Sequence, residues 1–220
     1  MIKLSASTIK DYLSCPRKVF YRFNHPELGV QTEAMAIGSV IHEIIEKKEL
    51  DAIRPIMSKF GLESDYAFDK IKLCIDNFSS VFGHLVGEGD EIEKYFKLKF
   101  ADDITISGKI DRVHNNVLVD WKTGASKPTN LKNDVQFIIY YLAYKMLYKK
   151  EPTAVIYASL FHNKIHIFKP NNNSILKFQE DILPYVYNGV KYKVFPRIGL
   201  YHWQKPVCRN CQYKKFCLEE

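Results

Sequence analysis

Residues 108–124, GKIDRVHNNVLVDWKTG, carry Asp111 and Asp120 on two segments of alternating polarity, with Lys122 two residues beyond the second acid. Between them His114-Asn115-Asn116 has turn composition, so the two segments read as strands of a hairpin. Successive strand side chains point to opposite faces. Asp120 and Lys122 therefore share a face, and Trp121 points away from it. Asp111, on the preceding strand, is close enough across the turn to converge with Asp120. Two carboxylates meeting at a sheet edge repel unless a cation lies between them, and a hard divalent ion such as Mg²⁺ or Mn²⁺ suits oxygen ligands. The Lys122 ammonium can then orient a water or stabilise charge developing on a phosphate. Taken alone, the same residues also fit an ordinary hairpin with a surface salt bridge.

Further residues point the same way. His42 lies off the apolar stripe of a helical segment, with Gly38 one turn before it, where a ligand or a second backbone can approach; by itself it also reads as a bland helical histidine. Gln136 and Tyr140 are four apart and share a helical face in an otherwise apolar segment. Gln can hold a water or phosphate and Tyr can stack or hydrogen-bond, although a polar edge of a core helix explains the pair equally well.

Of five cysteines, Cys208, Cys211 and Cys217 cluster near the C-terminus, and Cys15 is the natural fourth member of a ligand set. Four thiolates suit Zn²⁺ or an iron–sulfur cluster, and spacing does not choose between them; non-ligand cysteines or a redox Cys208/Cys211 pair are the other readings. Cys74 sits at core spacing in a helix and reads as a small apolar residue. An odd cysteine count without a secretion signal argues against a disulfide framework.

The elements that must position these groups follow from periodicity. Ser5 or Ser7 caps a short helix carrying Ile9, Tyr12 and Leu13 that ends near Cys15-Pro16. Helical patterns follow over about 33–50, with Ile37, Ile41, Ile44 and Ile45 inward, and over about 65–86. The period then changes to two. In EIEKYFKLKF, Ile92, Phe96, Leu98 and Phe100 are expected on one face of a strand, followed by the two strands of the acidic hairpin. Residues 130–150 read as a helix, and 154–160 with 164–168 as another hairpin. The economical architecture is α/β, a central mixed β-sheet flanked by helices. The tail from 196 to 220 is expected to be irregular.

The chain of 220 residues carries a net charge of +7, which favours polyanionic partners without naming one. Its 46% hydrophobic content supports a core rather than disorder. No apolar run reaches the roughly 18–20 residues of a membrane span, and MIKLSASTIKDYLSC lacks an apolar signal core, so a cytoplasmic protein with no membrane partner is expected.

The ordered set Gly38-x3-His42, Gly108-x2-Asp111, Asp120-Trp121-Lys122-Thr123-Gly124 and Gln136-x3-Tyr140 resembles the successive motifs of the PD-(D/E)XK nucleases, in their RecB-like branch. The resemblance implies a restriction-endonuclease-like core. It implies a divalent ion held by His42, Asp111 and Asp120, a lysine (Lys122) assisting the attacking water, and a Gln136/Tyr140 face toward DNA. Glu93 is placed outside the expected ligands. One cysteine before these motifs and three after them, together with Ser7-x7-Cys15-Pro16-Arg17-Lys18, resembles the members that carry a [4Fe–4S] cluster, above all the CRISPR-associated Cas-four exonucleases. A single nuclease domain over 1–220 is then expected, with a core over 33–190. Residues 1–30 and 196–220 would form a clamp joined by an iron–sulfur staple through Cys15, Cys208, Cys211 and Cys217. Arg209, Lys214 and Lys215 would bring positive charge to that clamp. The implied activity is exonucleolytic, on single-stranded or frayed DNA, with CRISPR adaptation proteins as candidate partners. The alternatives are a stand-alone repair, viral or mobile-element endonuclease, or a DNA-end-binding module with a vestigial site.

Overall fold

The computed structural model describes residues 2–198, 206–209 and 211–219. Its elements run β1 (Ile2–Leu4), α1 (Ala6–Ser14), α2 (Pro16–Asn24), α3 (Glu33–Lys47), α4 (Ile53–Lys59), α5 (Asp65–Asn77), β2 (Glu91–Ala101), β3 (Ile104–His114), β4 (Val117–Lys122), α6 (Val135–Tyr148), β5 (Ala154–Ser159), β6 (Lys164–Phe168), α7 (Asn172–Lys177), α8 (Leu183–Lys191), α9 (Pro206–Arg209) and α10 (Lys214–Glu219). The expected mixed sheet is present, in the order β1-β3-β4-β5-β6, with β2 on the other edge of β3. The β1–β3 and β4–β5 pairs are parallel; β2–β3, β3–β4 and β5–β6 are antiparallel.

Both faces of the sheet are covered. On one side α1, α6 and α8 bury Ile9, Tyr12, Ile139 and Val186 against Ile106, Ile110, Leu118 and Val155. On the other, α3, α4 and α5 bury Ile41, Ile44, Ile56 and Ile71 against Val119, Trp121 and Ala158. Leu118 and Val119 thus face opposite layers, as strand alternation requires. Trp121 lies edge-on to Phe78 and Phe82, with ring centroids 5.4 and 6.4 Å away.

The β3–β4 connection is the expected tight hairpin. Asn115 and Asn116 both have positive φ, 47° and 64°, which suits a two-residue turn matched to strand twist. The ladder between these strands is short, running from His114↔Val117 to Arg112↔Val119. The same edge of β3 is occupied by β1 only at Ile104–Ile106. Between those two pairings the edge of β3 is open, and β4 diverges from it.

The remaining sequence expectations need several corrections. A second helix, α2, begins at Pro16 directly after α1, because proline is well placed at the first helical position. Phe78–Phe82 forms a π-helical turn after α5. The described parts of the tail are helical at α9 and α10 rather than irregular. Residues 1, 199–205, 210 and 220 of the expected clamp lie outside the described residues.

The hairpin is anchored from below by a buried ion-pair network. Arg112 and Asp90, 1% and 5% exposed, pair at 2.7 Å; Asp90 also accepts from Gly87 N at 2.8 Å and meets His114 Nδ1 at 2.7 Å. Burial would raise the Asp90 pKa, but the bonds from Gly87, Arg112 and His114 win and hold it below the usual carboxylate value. Asp90→Ala would leave Arg112 as an uncompensated buried charge, with an expected loss of about 3–5 kcal/mol in urea unfolding. Because the folded pKa is depressed, the network's stabilisation is present above the unfolded carboxylate pKa and is lost as pH falls through the folded one. Asp90→Ala should therefore flatten the acid limb of the stability profile; an unaltered limb would dissociate acid sensitivity from this network.

Candidate active site

Asp111 lies where β3 loses its partner. Its Oδ2 accepts the Trp121 N–H at 2.9 Å, so the carboxylate satisfies a backbone donor that the ended ladder no longer serves. The alternation of β3 breaks at this place: Ile110 and Val113, three residues apart, both lie in the α6-side core. Directly across, between the pairs Ile92↔Arg112 and Lys94↔Ile110, Glu93 has φ +48°, a left-handed backbone for a residue with a full side chain. Such an irregularity re-aims side chains. It overturns the expectation that Ile92 shares the row of Phe96: Ile92 is 36% exposed and Phe96 is 1% exposed.

The re-aimed carboxylates meet His42 of α3. One donor atom each from His42, Glu93 and Asp111 lies within 4.8 Å of the others. His42 Nε2 donates to Trp121 O at 3.1 Å, and its Nδ1 stands 3.8 Å from Asp111 Oδ2. A carbonyl only accepts, so in the neutral ring this bond keeps the proton on Nε2 and leaves the Nδ1 lone pair facing the acids. The space lined by His42, Glu93, Asp111, Arg112 and Trp121 is about 10 Å³, room for one water or ion. Gly38, one turn earlier, brings α3 close to the end of β4; a Cβ there would stand 3.3 Å from Thr123 Oγ1.

Asp120 lies outside this trio. It is 1% exposed and faces α6. Lys122 Nζ is 2.7 Å from Asp120 Oδ2 and donates to Oδ1 at 3.0 Å. Gln136 Nε2 donates to Asp120 Oδ1 at 3.0 Å and to Tyr140 Oη at 2.9 Å, while Gln136 Oε1 stands 3.4 Å from Lys122 Nζ. Asp134 positions this row by capping α6 through Gln136 N at 2.9 Å. Asp120 Oδ2 is met by the Lys122 ammonium alone. Gly108 has its own geometric reason, since a Cβ there would meet Phe96 Cζ at 2.9 Å.

The electrostatics carry the mark of a cation site. Burial, then the neighbouring charge of Asp120, pushes the Asp111 carboxyl up to about 7. Burial alone would lower the Lys122 pKa, but Asp120 and Asp111 outweigh it and keep the ammonium charged. Burial, followed by the same two acids, drives Tyr140 well above its usual value, so it stays a neutral phenol. The donors are one imidazole and hard carboxylate oxygens around a one-atom space. That set fits Mg²⁺ or Mn²⁺.

Sequence reasoning placed His42, Asp111, Asp120, Lys122, Gln136 and Tyr140, and the fold brings them to one end of the sheet. It set Glu93 aside, although Glu93 stands with His42 and Asp111. Alternation was the only available signal, and Ile92 at even spacing from Phe96 concealed the break.

Three of the cysteines lie in one region, although among the described residues no three of them stand within metal-ligand reach of one another. Cys15, between α1 and α2, is buried. Burial raises the Cys211 thiol pKa, and Cys15 and Cys217 are near enough to push it the same way. Tyr213 stacks on Tyr21 of α2 at 5.2 Å and 24°. Cys74 is buried among α3 and α5, as its spacing implied. Lys214 and Lys215 are exposed; the Arg209 side chain lies outside the described residues.

A raised Asp111 pKa links metal uptake to protons, because a ligand carboxylate must be ionised. Calorimetry with Mn²⁺ should give tighter binding at pH 8 than at pH 6, with proton release near pH 7. Asp111→Asn should lose most of the affinity and the proton release. Equal Mn²⁺ affinity at the two pH values would remove Asp111 from the ligand set.

No curated protein matches the chain. Among solved structures, a crystal structure of SSO0001 aligns with 98% of this chain and 85% of its own, at 16% identity and a TM-score of 0.46. Among the described residues, no helix is long and apolar enough to cross a membrane. A family model matches residues 3–218, nearly the whole length, and by that match the chain belongs to the PD-(D/E)XK nuclease superfamily.

Proposed function

We propose that this protein is a metal-dependent deoxyribonuclease of the CRISPR-associated Cas-four type, acting as an exonuclease on single-stranded or frayed DNA in the cytoplasm. Nucleases of the superfamily hydrolyse phosphodiester bonds with divalent ions such as Mg²⁺ or Mn²⁺, and DNA is the substrate the family implies. The observation that carries the reading is the meeting of His42, Glu93 and Asp111 beside the Asp120–Lys122–Gln136 row, at the open edge of β3.

In this reading His42, Asp111 and Asp120 hold the ion, with Glu93 added to them. The ion supplies charge neutralisation at the phosphate and a more acidic water. Lys122 is held by both Asp120 oxygens and by Gln136, and its ammonium would serve a phosphate oxygen or the attacking water from there. Being held charged, it acts as an electrostatic stabiliser and orienting donor, not as a base. Gln136 fixes Asp120 and Lys122 together and presents Tyr140 to the strand.

A [4Fe–4S] cluster on Cys15, Cys208, Cys211 and Cys217 belongs to the same proposal. The nearness of Cys15, Cys211 and Cys217 and the Tyr21–Tyr213 stack support a clamp of 1–30 and 196–220 around a 33–190 core within one domain. Such ligation turns binding free energy into folding free energy. The order of motifs supports the Cas-four assignment, with CRISPR adaptation proteins as partners.

Asp120→Ala should fold normally yet lose cleavage. Lys122→Ala should lose at least about 10²-fold in rate while still binding Mn²⁺. Wild-type cutting by either folded variant would remove that residue from the chemistry. With end-labelled substrates, stepwise shortening of a linear single strand and slow attack on a closed single-stranded circle are expected; rapid cutting of the circle would make the enzyme an endonuclease.

Protein purified without oxygen should be brown and hold about four irons, with colour retained in Cys74→Ala and lost in Cys15→Ala. Stoichiometric zinc in place of iron would reverse the assignment.

A further inference from the structure

We propose that the cleft between the first turns of α1 and strands β2–β3 is a phosphodiester subsite of the strand being cut, with Lys10 and Lys109 as its cations. The inference rests on the nuclease reading for its strand, and it concerns binding rather than cleavage. The cleft measures about 390 Å³, within the usual range for a ligand site. It shares a wall with the carboxylates: Gln136 and Tyr140 line it, and Gln136 Nε2 bonds both Asp120 Oδ1 and Tyr140 Oη. A strand reaching Asp120 therefore has this cleft one side chain away.

The lining matches a phosphodiester in each part. Tyr140 is 6% exposed, and its hydroxyl accepts from Gln136 but has no acceptor for its own proton among the described residues. That donor is available to a phosphate oxygen at the cleft. The N-terminal turn of α1, capped by Ser5 with Ser7 beside it, contributes N–H groups that have no intrahelical partner and the positive end of a nine-residue helix. Phe96, 1% exposed beside Gly108, backs the floor of the cleft with apolar packing.

Charge follows the same plan. Asp11 also borders the cleft, but Lys18 and Arg22 pair with its two oxygens. Lys10 pairs with Asp134 at 2.9 Å and Lys109 with Glu93 at 3.1 Å, and both lysine side chains are about half exposed. Exposed pairs of this kind hold weakly, so a phosphate can replace the carboxylate at either lysine. Lys109 has a second reason to change partner. Glu93 stands with His42 and Asp111, and a Glu93 engaged there would release Lys109, which lines the cleft.

The test is anisotropy of 5′-labelled dT12 with excess EDTA, across 50–300 mM salt, on the full chain. Lys10→Ala and Lys109→Ala should each weaken binding about fivefold to tenfold and reduce the salt slope by about 0.7, with about twice that reduction in the double variant. Lys72→Ala, on α5 behind the opposite face of the sheet, should bind as wild type does. Thermal midpoints within a degree or two of wild type would exclude unfolding as the cause. Wild-type affinity and slope in the double variant would overturn the subsite. So would micromolar competition by inorganic phosphate that the double variant abolishes, since that marks a free-phosphate pocket. The two readings fail separately. Loss of dT12 binding in the variants of a protein that cuts nothing with its metals in place would sink the nuclease alone. Normal cutting with unaltered binding would sink the subsite alone.

Discussion

Two neighbouring buried carboxylates, only one of them paired with a cation, decide the rest of this site. Asp111 and Asp120 come from adjacent strands, both largely withdrawn from water, and the charge of Asp120 adds to burial in making Asp111 harder to ionise. An apolar core would never select that pairing for stability, because burying like charges is costly without a compensating cation. Lys122 compensates Asp120 directly. Asp111 has only a backbone N–H and a histidine at 3.8 Å, so its carboxyl titrates near neutrality. The unbalanced charge is the opening for a divalent ion.

Divergence of β3 and β4 makes the pairing possible. Were the ladder to continue past Arg112↔Val119, the Trp121 N–H would bond to β3 backbone and the Asp111 carboxylate would turn elsewhere. Because the ladder stops, the strands separate and the sheet opens between its two layers. His42 and Glu93 approach Asp111, while Gln136 and Tyr140 hold Asp120 and Lys122 from α6. Trp121, wedged against Phe78 and Phe82, fixes the far side of β4 so that its neighbours cannot rotate away. The His42–Glu93 side and the Gln136–Tyr140 side thus stabilise each other through one strand.

How much of this could be read from the residues depended on whether alternation held. Strands β3 to β6, helices α3 and α6, and the Asn115-Asn116 turn were legible, since period and turn chemistry agree there. So was the orientation of β4, where Leu118, Asp120 and Lys122 fall on one face and Val119 and Trp121 on the other. Glu93 was not legible: a left-handed residue inside a strand shifts the phase by one, and nothing in EIEKYFKLKF announces it. Strand β1 escaped because three residues are too few for a period, and its partner lies about a hundred residues away. Helix α2 escaped because Cys15-Pro16 reads equally well as a stop or as a start.

That Cys-Pro junction sits at the far end of a helix that reaches the site. Helix α1 runs from the cleft at Ser5 to the cysteines at Cys15, and its middle is held by Tyr12, which donates to Val194 O at 2.6 Å. Lys10 on the same helix reaches Asp134, the residue that caps α6 ahead of Gln136. A change of ligation at Cys15 would therefore act on α1 as a lever, through packed side chains and one ion pair, on the wall that orients Asp120. A proposed ligand at Cys15 need take no part in the reaction for this to matter. Its effect on the site would be positional, set by how firmly it held the C-terminal end of a nine-residue helix whose other end borders the cleft.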